Sequence, residues 1–190
     1  MPQPRLRLLA ALLAIALAGC GSDSEPAPES SAGTPTATAT EATPEPTAAG
    51  DAVTVAGVQV GDAQNLEAEP QVTIAEGAEP PAELVTRDLV KGDGARVASG
   101  DQVSVRYTGV SWANGEKFDA SWDRGTDPFT FPIGAGQVIP GWDQGVAGMR
   151  EGGRRLLVIP PDLGYGAAGQ PPVIAENDTL VFVVDAVSTS

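Results

Sequence analysis

Ten residues in the C-terminal half of this chain have the types and spacing from which an apolar cup is built. They are Tyr107, Phe118, Asp119, Phe129, Val138, Ile139, Trp142, Tyr165, Ile174 and Phe182. Nine are aromatic or branched, and the one carboxylate, Asp119, directly follows Phe118. An apolar concavity with a few placed polar groups is the common form of a small-ligand or peptide site. Such a surface changes the solvation of what it binds; it has no group that attacks a bond. The chain contains no histidine, so histidine triads, histidine bases and histidine metal ligands are excluded. No Walker-type loop or dinucleotide fingerprint opens a helix. Asp119 and Asp123 raise the possibility of glycoside hydrolysis, but nothing in the sequence separates an acid from a base between them.

The cup needs elements to hold it. Val138-Ile139-Pro140-Gly141-Trp142 is the centre of that problem. Proline at a first helical position is pre-set for helix entry, and Asp143 suits the positive end of a helix. Trp142, Val146 and Met149 then fall at helical spacing, with Gly145 and Gly148 keeping the helix short. On pattern alone two readings stand. In one, a small helix packs its face on a sheet; in the other, Val138, Ile139 and Trp142 form the floor of a pocket.

Around this stretch the sequence reads as short strands. Glu83 to Val90 is one, and Gln102 to Thr108 alternates with Val103, Val105 and Tyr107 on one face. Ala113-Asn114-Gly115 is a hairpin signal leading to Lys117–Ala120. Period-two alternation predicts that Phe118 and Asp119 point to opposite sides. Phe129 and Phe131 alternate across Thr130, Arg154 to Ile159 is an apolar run, and Thr179 to Val187 is a long β-branched one. Many short strands and one short helix predict an antiparallel α+β domain with the helix packed on one face of the sheet. Upstream, Val53–Val55, Val58–Val60 and Gln71–Ile74 also alternate, so 51–79 is a short β extension or a linker, and a third reading makes 51–76 a docking element.

The front end is different in kind. Arg5 and Arg7 precede an apolar run, Leu6 to Leu17, too short for a comfortable membrane span. The run ends in Leu17-Ala18-Gly19-Cys20, which resembles the lipobox of bacterial lipoproteins. Residues 1–20 are therefore expected to be a lipoprotein signal peptide, with Cys20 the lipidated N-terminus. Cys20 is the chain's one cysteine, so no disulfide is available. Two acyl chains at one residue suffice for stable anchoring. Residues 21–50 contain Ser, Thr, Ala, Pro, Glu and Gly with no aromatic, Lys or Arg, and read as a disordered tether. The formal net charge is −14, which argues against nucleic acid as a partner.

From Leu84 to Val187 the chain resembles the FKBP-type peptidyl-prolyl cis-trans isomerases. The resemblance rests on Val105-Arg106-Tyr107-Thr108-Gly109, Gly115-Glu116-Lys117-Phe118-Asp119, Pro128-Phe129-Thr130-Phe131 and Gly136-Gln137-Val138-Ile139-Pro140-Gly141-Trp142. It continues through Gly145–Met149, Pro161-Asp162-Leu163-Gly164-Tyr165-Gly166 and Asn177–Phe182, in family order. It implies an isomerase domain over 80–190: a half-wrapped antiparallel sheet with one short helix on its concave face. It also implies catalytic roles for Tyr107, Phe118, Asp119, Trp142, Tyr165 and Phe182, and substrate contacts for Phe129, Val138, Ile139 and Ile174. Arg124 stands where the family often pairs an arginine with the pocket aspartate. Gln170 replaces a histidine of some members, and Trp122 a smaller or charged residue. Proline-containing polypeptides, and macrolide inhibitors of the rapamycin type, are the implied partners. No cofactor or metal is implied, and a monomer at the extracytoplasmic face of the cell membrane is expected. The alternative is a proline-segment binding module or chaperone with weak or no catalysis.

Overall fold

The computed structural model describes residues 52–125 and 127–190; the expected signal peptide, Cys20 and the tether lie outside them. Nine strands are present among the described residues: β1 Val53–Val55, β2 Val58–Gly61, β3 Gln71–Ile74, β4 Val85–Val90, β5 Gln102–Ser111, β6 Lys117–Ala120, β7 Phe129–Pro132, β8 Gly153–Ile159 and β9 Leu180–Thr189. One α-helix, α1 Pro140–Gly145, joins them. The main sheet is antiparallel with the order β4-β8-β9-β5-β6, and β7 also pairs with β5. β1, β2 and β3 form a separate three-stranded sheet. The expected antiparallel α+β architecture is therefore the observed one.

The central strands are apolar on both sides. On β8, Leu157 and Ile159 face the layer that holds α1, while Leu156 and Val158 face the other way. On β9, Leu180, Phe182 and Val184 share the helix side, and Val181 and Val183 the opposite side. Continuous apolar runs of this kind belong to strands covered on both faces. The small N-terminal sheet supplies the second cover: Val58, Val60 and Ala63 are fully buried against Val110, Leu156, Val158, Val181 and Val183. Thr54, Gln59 and Thr73, the alternating partners, remain exposed.

One side chain ties the two sheets together. Arg154 on β8 lies opposite Asp185 on β9 and makes a bidentate pair with it, at 2.5 and 2.7 Å. Both side chains are almost completely buried. Arg154 also donates to the carbonyls of Asp62 at 2.7 Å and Ala68 at 3.0 Å, in the loop between β2 and β3. Burial pushes the Asp185 carboxyl up, and the Arg154 hydrogen bonds and charge oppose that rise.

On the other face, α1 packs closely on β8. A Cβ at Gly141 would lie 2.4 Å from Ile159 Cγ2, and one at Gly145 2.7 Å from Leu157 Cδ2. These two glycines, four apart on one helix face, let the helix backbone settle onto the strand. Gly145 is thus both the last residue of the short helix, as expected, and a contact with the strand. Asp143 lies in the first turn of α1, as expected, and its carboxylate also accepts the N–H groups of Gly134 at 2.8 Å and Gly136 at 3.1 Å. It fastens the loop that enters the helix.

Arg154→Met is expected to lower the unfolding free energy by about 3–5 kcal/mol, because Asp185 would be left buried and uncompensated. Urea denaturation measures this. Adding Asp185→Leu should recover a large part of the loss; a double variant no more stable than the single one would show that the pair is not the tie between the sheets.

Candidate active site

A depression of about 400 Å³ opens between α1 and the sheet, lined by Tyr107, Phe118, Asp119, Phe129, Gln137, Val138, Ile139, Trp142, Tyr165 and Phe182. Trp142 is its floor. The indole is buried and meets Tyr107 at 5.0 Å and Phe182 at 5.2 Å between ring centroids, both edge-to-face. Phe131 tilts against it at 5.5 Å from beneath. These geometries suit the quadrupoles of the rings. They fix the floor through α1 on one side and β5, β7 and β9 on the other. The indole N–H has no acceptor among the described residues.

β6 departs from the alternation expected of it: Phe118 and Asp119 both face the cup. In the pairing with β5, Gly109 lies opposite Asp119 and Val110 opposite Lys117, so Phe118 is skipped. An extra residue of this kind is a β-bulge, which re-aims the side chains beside it. The residue across from the bulge has no side chain of its own. A Cβ at Gly109 would lie 2.8 Å from Phe118 Cζ and 2.8 Å from Phe182 Cε1. Glycine there lets the two rings meet edge-to-face at 5.4 Å.

The polar edge is a closed cycle. Tyr107 Oη donates to Asp119 Oδ2 at 2.5 Å. Arg124 donates to Asp119 Oδ1 at 2.5 Å and to Tyr107 Oη at 2.5 Å. Arg124 ends the short 3-10 turn Ser121–Arg124, and Ser121 Oγ accepts the Tyr107 N–H at 2.9 Å. β7 pairs with β5 only along 102–105 and β6 only along 108–110. The turn fills the interval between them, at Tyr107. Arg124 therefore holds Asp119 from outside the cup. Desolvation, then the hydrogen bond to Asp119, pushes the Tyr107 phenol up to about 12. Tyr107 presents its ring to the cavity while its hydroxyl is committed to Asp119.

Besides the indole N–H, two further donors are open. The Ile139 N–H has no partner among the described residues, because Ile139 is the N-cap of α1 and starts the helix with its carbonyl. Tyr165 lies between two short 3-10 turns, Pro161–Leu163 and Gly166–Ala168, with 38% of its surface exposed. Desolvation and the nearby Asp119 charge push its phenol up.

Of the residues expected at the site, nine line the cup directly and Arg124 stands behind it. Ile174 does not line it. It is buried, with its backbone paired to Gln170, and contributes to an adjoining depression with Gln170, Pro171 and Val173. Gln137 lines the cup but was not expected there. Its position beside Val138 in the loop entering α1 was the available signal.

Residues 94–187 match the family model of FKBP-type peptidyl-prolyl cis-trans isomerase. The chain is 55% identical over 113 residues to an FK506-binding protein of Streptomyces anulatus, covering 59% of this chain and 90% of that one. The chain belongs to the FKBP-type isomerase family. It is also 42% identical over 120 residues to a probable FK506-binding protein of Corynebacterium glutamicum, across 63% of this chain and 98% of that one. Among solved structures, AtFKBP13 aligns with a TM-score of 0.53 and 36% identity, over 58% of this chain and 96% of its own. The chain is thus a peptidyl-prolyl cis-trans isomerase.

The chain has only two tyrosines, so their titration is readable by ultraviolet difference absorbance. Tyr107 is expected to ionise near pH 12, and Tyr107→Phe should remove that step. A phenol raised above its unfolded value favours the folded state fully below about pH 10. That contribution is lost as pH rises from about 10 to about 12.

Proposed function

We propose that this isomerase is a lipid-anchored folding catalyst for exported polypeptides, working on X-Pro bonds held in the Trp142 cup. The single observation that carries the site assignment is the form of the cup: aromatic floor and walls, with one carboxylate whose charge is matched by Arg124.

Rotation about the X-Pro bond faces a barrier of roughly 18–20 kcal/mol, because twisting breaks amide resonance. No covalent bond is made or broken, so no nucleophile is required. Twisting reduces the charge separation of the imide. An apolar wall therefore favours the twisted form over the planar one, which is differential binding of the transition state. The proline ring lies over Trp142, with Val138, Ile139, Phe129 and Phe182 around it. Ring edges of Tyr107 and Phe118 approach the carbonyl of the residue before proline. The Ile139 N–H and the Tyr165 hydroxyl donate to substrate carbonyls and hold the chain while the imide turns. Asp119, fixed by Tyr107 and Arg124, meets the rotating carbonyl dipole without exchanging a proton. A thousandfold acceleration requires only about 4 kcal/mol, which desolvation and one hydrogen bond can supply.

The same cup suits macrolide ligands of the FK506 and rapamycin type; the names of the Streptomyces and Corynebacterium relatives indicate FK506 for those proteins. Anchoring rests on the sequence: the apolar run 6–17, the Leu17-Ala18-Gly19-Cys20 signal and the Lys- and Arg-free stretch 21–50. No helix among the described residues is long and apolar enough to cross a membrane. The proposed enzyme is a monomer, tethered through acylated Cys20 on the extracytoplasmic side, with its isomerase domain spanning 80–190.

In a proline-peptide isomerisation assay, Phe118→Ala and Trp142→Ala are each expected to reduce kcat/KM by about tenfold or more. Asp119→Ala should cost less, and the wild-type rate should be flat between about pH 6 and 8, where histidine would otherwise titrate. Near-wild-type activity in both aromatic variants would overturn the cup assignment. Peptide binding without acceleration by the wild-type chain would identify a binding module instead.

Mass spectrometry of the mature N-terminus should show Cys20 as the first residue, carrying acyl chains. An unmodified N-terminus elsewhere in the chain would remove the anchor from the proposal.

A further inference from the structure

A further depression among the described residues is as large as the cup and opposite to it in character. It measures about 400 Å³ and is lined by Lys91, Arg96, Arg150, Arg155 and Asp88, with mostly polar backbone between them. The chain as a whole carries 25 acidic and 11 basic residues, yet four cations and one carboxylate line this cleft. Against that composition, the local surplus of positive charge calls for a ligand. We propose that the cleft is an anion site for a phosphate group.

The strongest sign is a conflict within the backbone. Arg96 and Arg150 are partners in an isolated antiparallel bridge. Like charges directly opposite one another in such a pair are destabilising. A dianion between them turns the repulsion into attraction. The remaining charges are poorly compensated. Arg150 donates to the Gly94 carbonyl at 2.9 Å, which leaves its charge unmatched. Lys91 and Arg96 make no ion pair among the described residues. Arg155 is paired with Asp88 at 2.6 Å and donates to the Gly145 carbonyl at 2.8 Å, so it stiffens the wall. One oxygen of the neighbouring Glu151 carboxylate accepts the Thr189 N–H at 2.5 Å, and the other lies beside Gly94, 3.0 Å from where a Cβ there would stand.

The donor set selects the ligand class. Planar guanidinium forks bind phosphate oxygens bidentately, and a lysine adds a point charge. Lys91 follows β4, Arg96 lies in the loop before β5, and Arg150 precedes β8. They come from three separate segments and line one cleft, so several donors can reach one group, which suits a tetrahedral anion with several oxygens. Phosphate of this kind is presented by an anionic lipid headgroup or by a soluble phosphate ester.

The test uses the full chain in maltoside micelles, which carry no phosphate. Titrated inorganic phosphate is expected to shift the backbone amides of Gly92, Gly94, Arg96 and Arg150 saturably, while chloride at matched ionic strength does not. Arg96→Gln with Arg150→Gln should weaken phosphate binding about tenfold or more and leave the isomerisation rate unchanged. Doping the micelles with phosphatidylglycerol assigns the source: the same amides shift if headgroups occupy the site, and only soluble phosphate shifts them if esters do. Equal shifts with chloride, or undiminished phosphate binding in the double variant, would overturn the proposal. Should the double variant fail to fold, Lys91→Gln carries the same comparison.

Discussion

The structure depends on the fact that β8 and β9 are apolar on both faces. Leu156-Leu157-Val158-Ile159 and Leu180-Val181-Phe182-Val183 cannot bury all their side chains with one covering layer, because successive residues of a strand point to opposite sides. The two covers solve different problems. α1 covers one face and leaves a depression beside it. The sheet of β1, β2 and β3 covers the other face completely, with Val58 and Val60 at zero exposure. Arg154 and Asp185 sit on that second side, where a buried ion pair gains little net stability but prevents either partner from being misplaced alone. The two carbonyls that Arg154 also binds make the small sheet specific in position as well as apolar.

The cup follows from the first cover. The glycines of α1 bring its backbone down on Ile159 and Leu157, and Trp142 is thereby held against Tyr107, Phe131 and Phe182. The wall on the opposite side depends on a paired irregularity: a bulge in β6 and a glycine facing it in β5. Without the bulge, Phe118 or Asp119 would point out of the cavity. Without Gly109, the Phe118 and Phe182 rings would be forced apart. An aromatic wall and a carboxylate at one rim therefore come from two adjacent residues on one short strand.

The electrostatic arrangement agrees with a reaction that moves no proton. Asp119 is flanked by Arg124 and Tyr107, so its charge is balanced and its orientation held. Tyr107 keeps its proton into strongly alkaline conditions because burial and Asp119 both oppose ionisation. In the proposed mechanism, groups arranged in this way stabilise a changing dipole and need not titrate to do so. The absence of histidine from the chain is compatible with that chemistry, which draws on desolvation and aromatic contact.

The sequence alone determined the strands, the short helix opened by Pro140, and the aromatic and branched residues of the cup. All of these are carried by local periodicity, turn residues and motif order. It also marked β1, β2 and β3 correctly as strands, through their alternation. What it left open was where that small sheet goes, although the unbroken apolar runs of β8 and β9 already demanded a second cover. Only the tertiary structure decided the rest. Phe118 and Asp119 share a side because of a register shift between two strands, and a register is a relation between segments that neither segment carries. Tyr107 turned out to hold Asp119 as well as to line the cup, because Arg124 arrives from a turn seventeen residues away. Ile174 moved to the neighbouring depression because its backbone pairs with Gln170, and Gln137 entered the cup on the loop that Asp143 fastens. Composition and spacing specify which side chains are available; the packing of distant segments decides which of them face the same space.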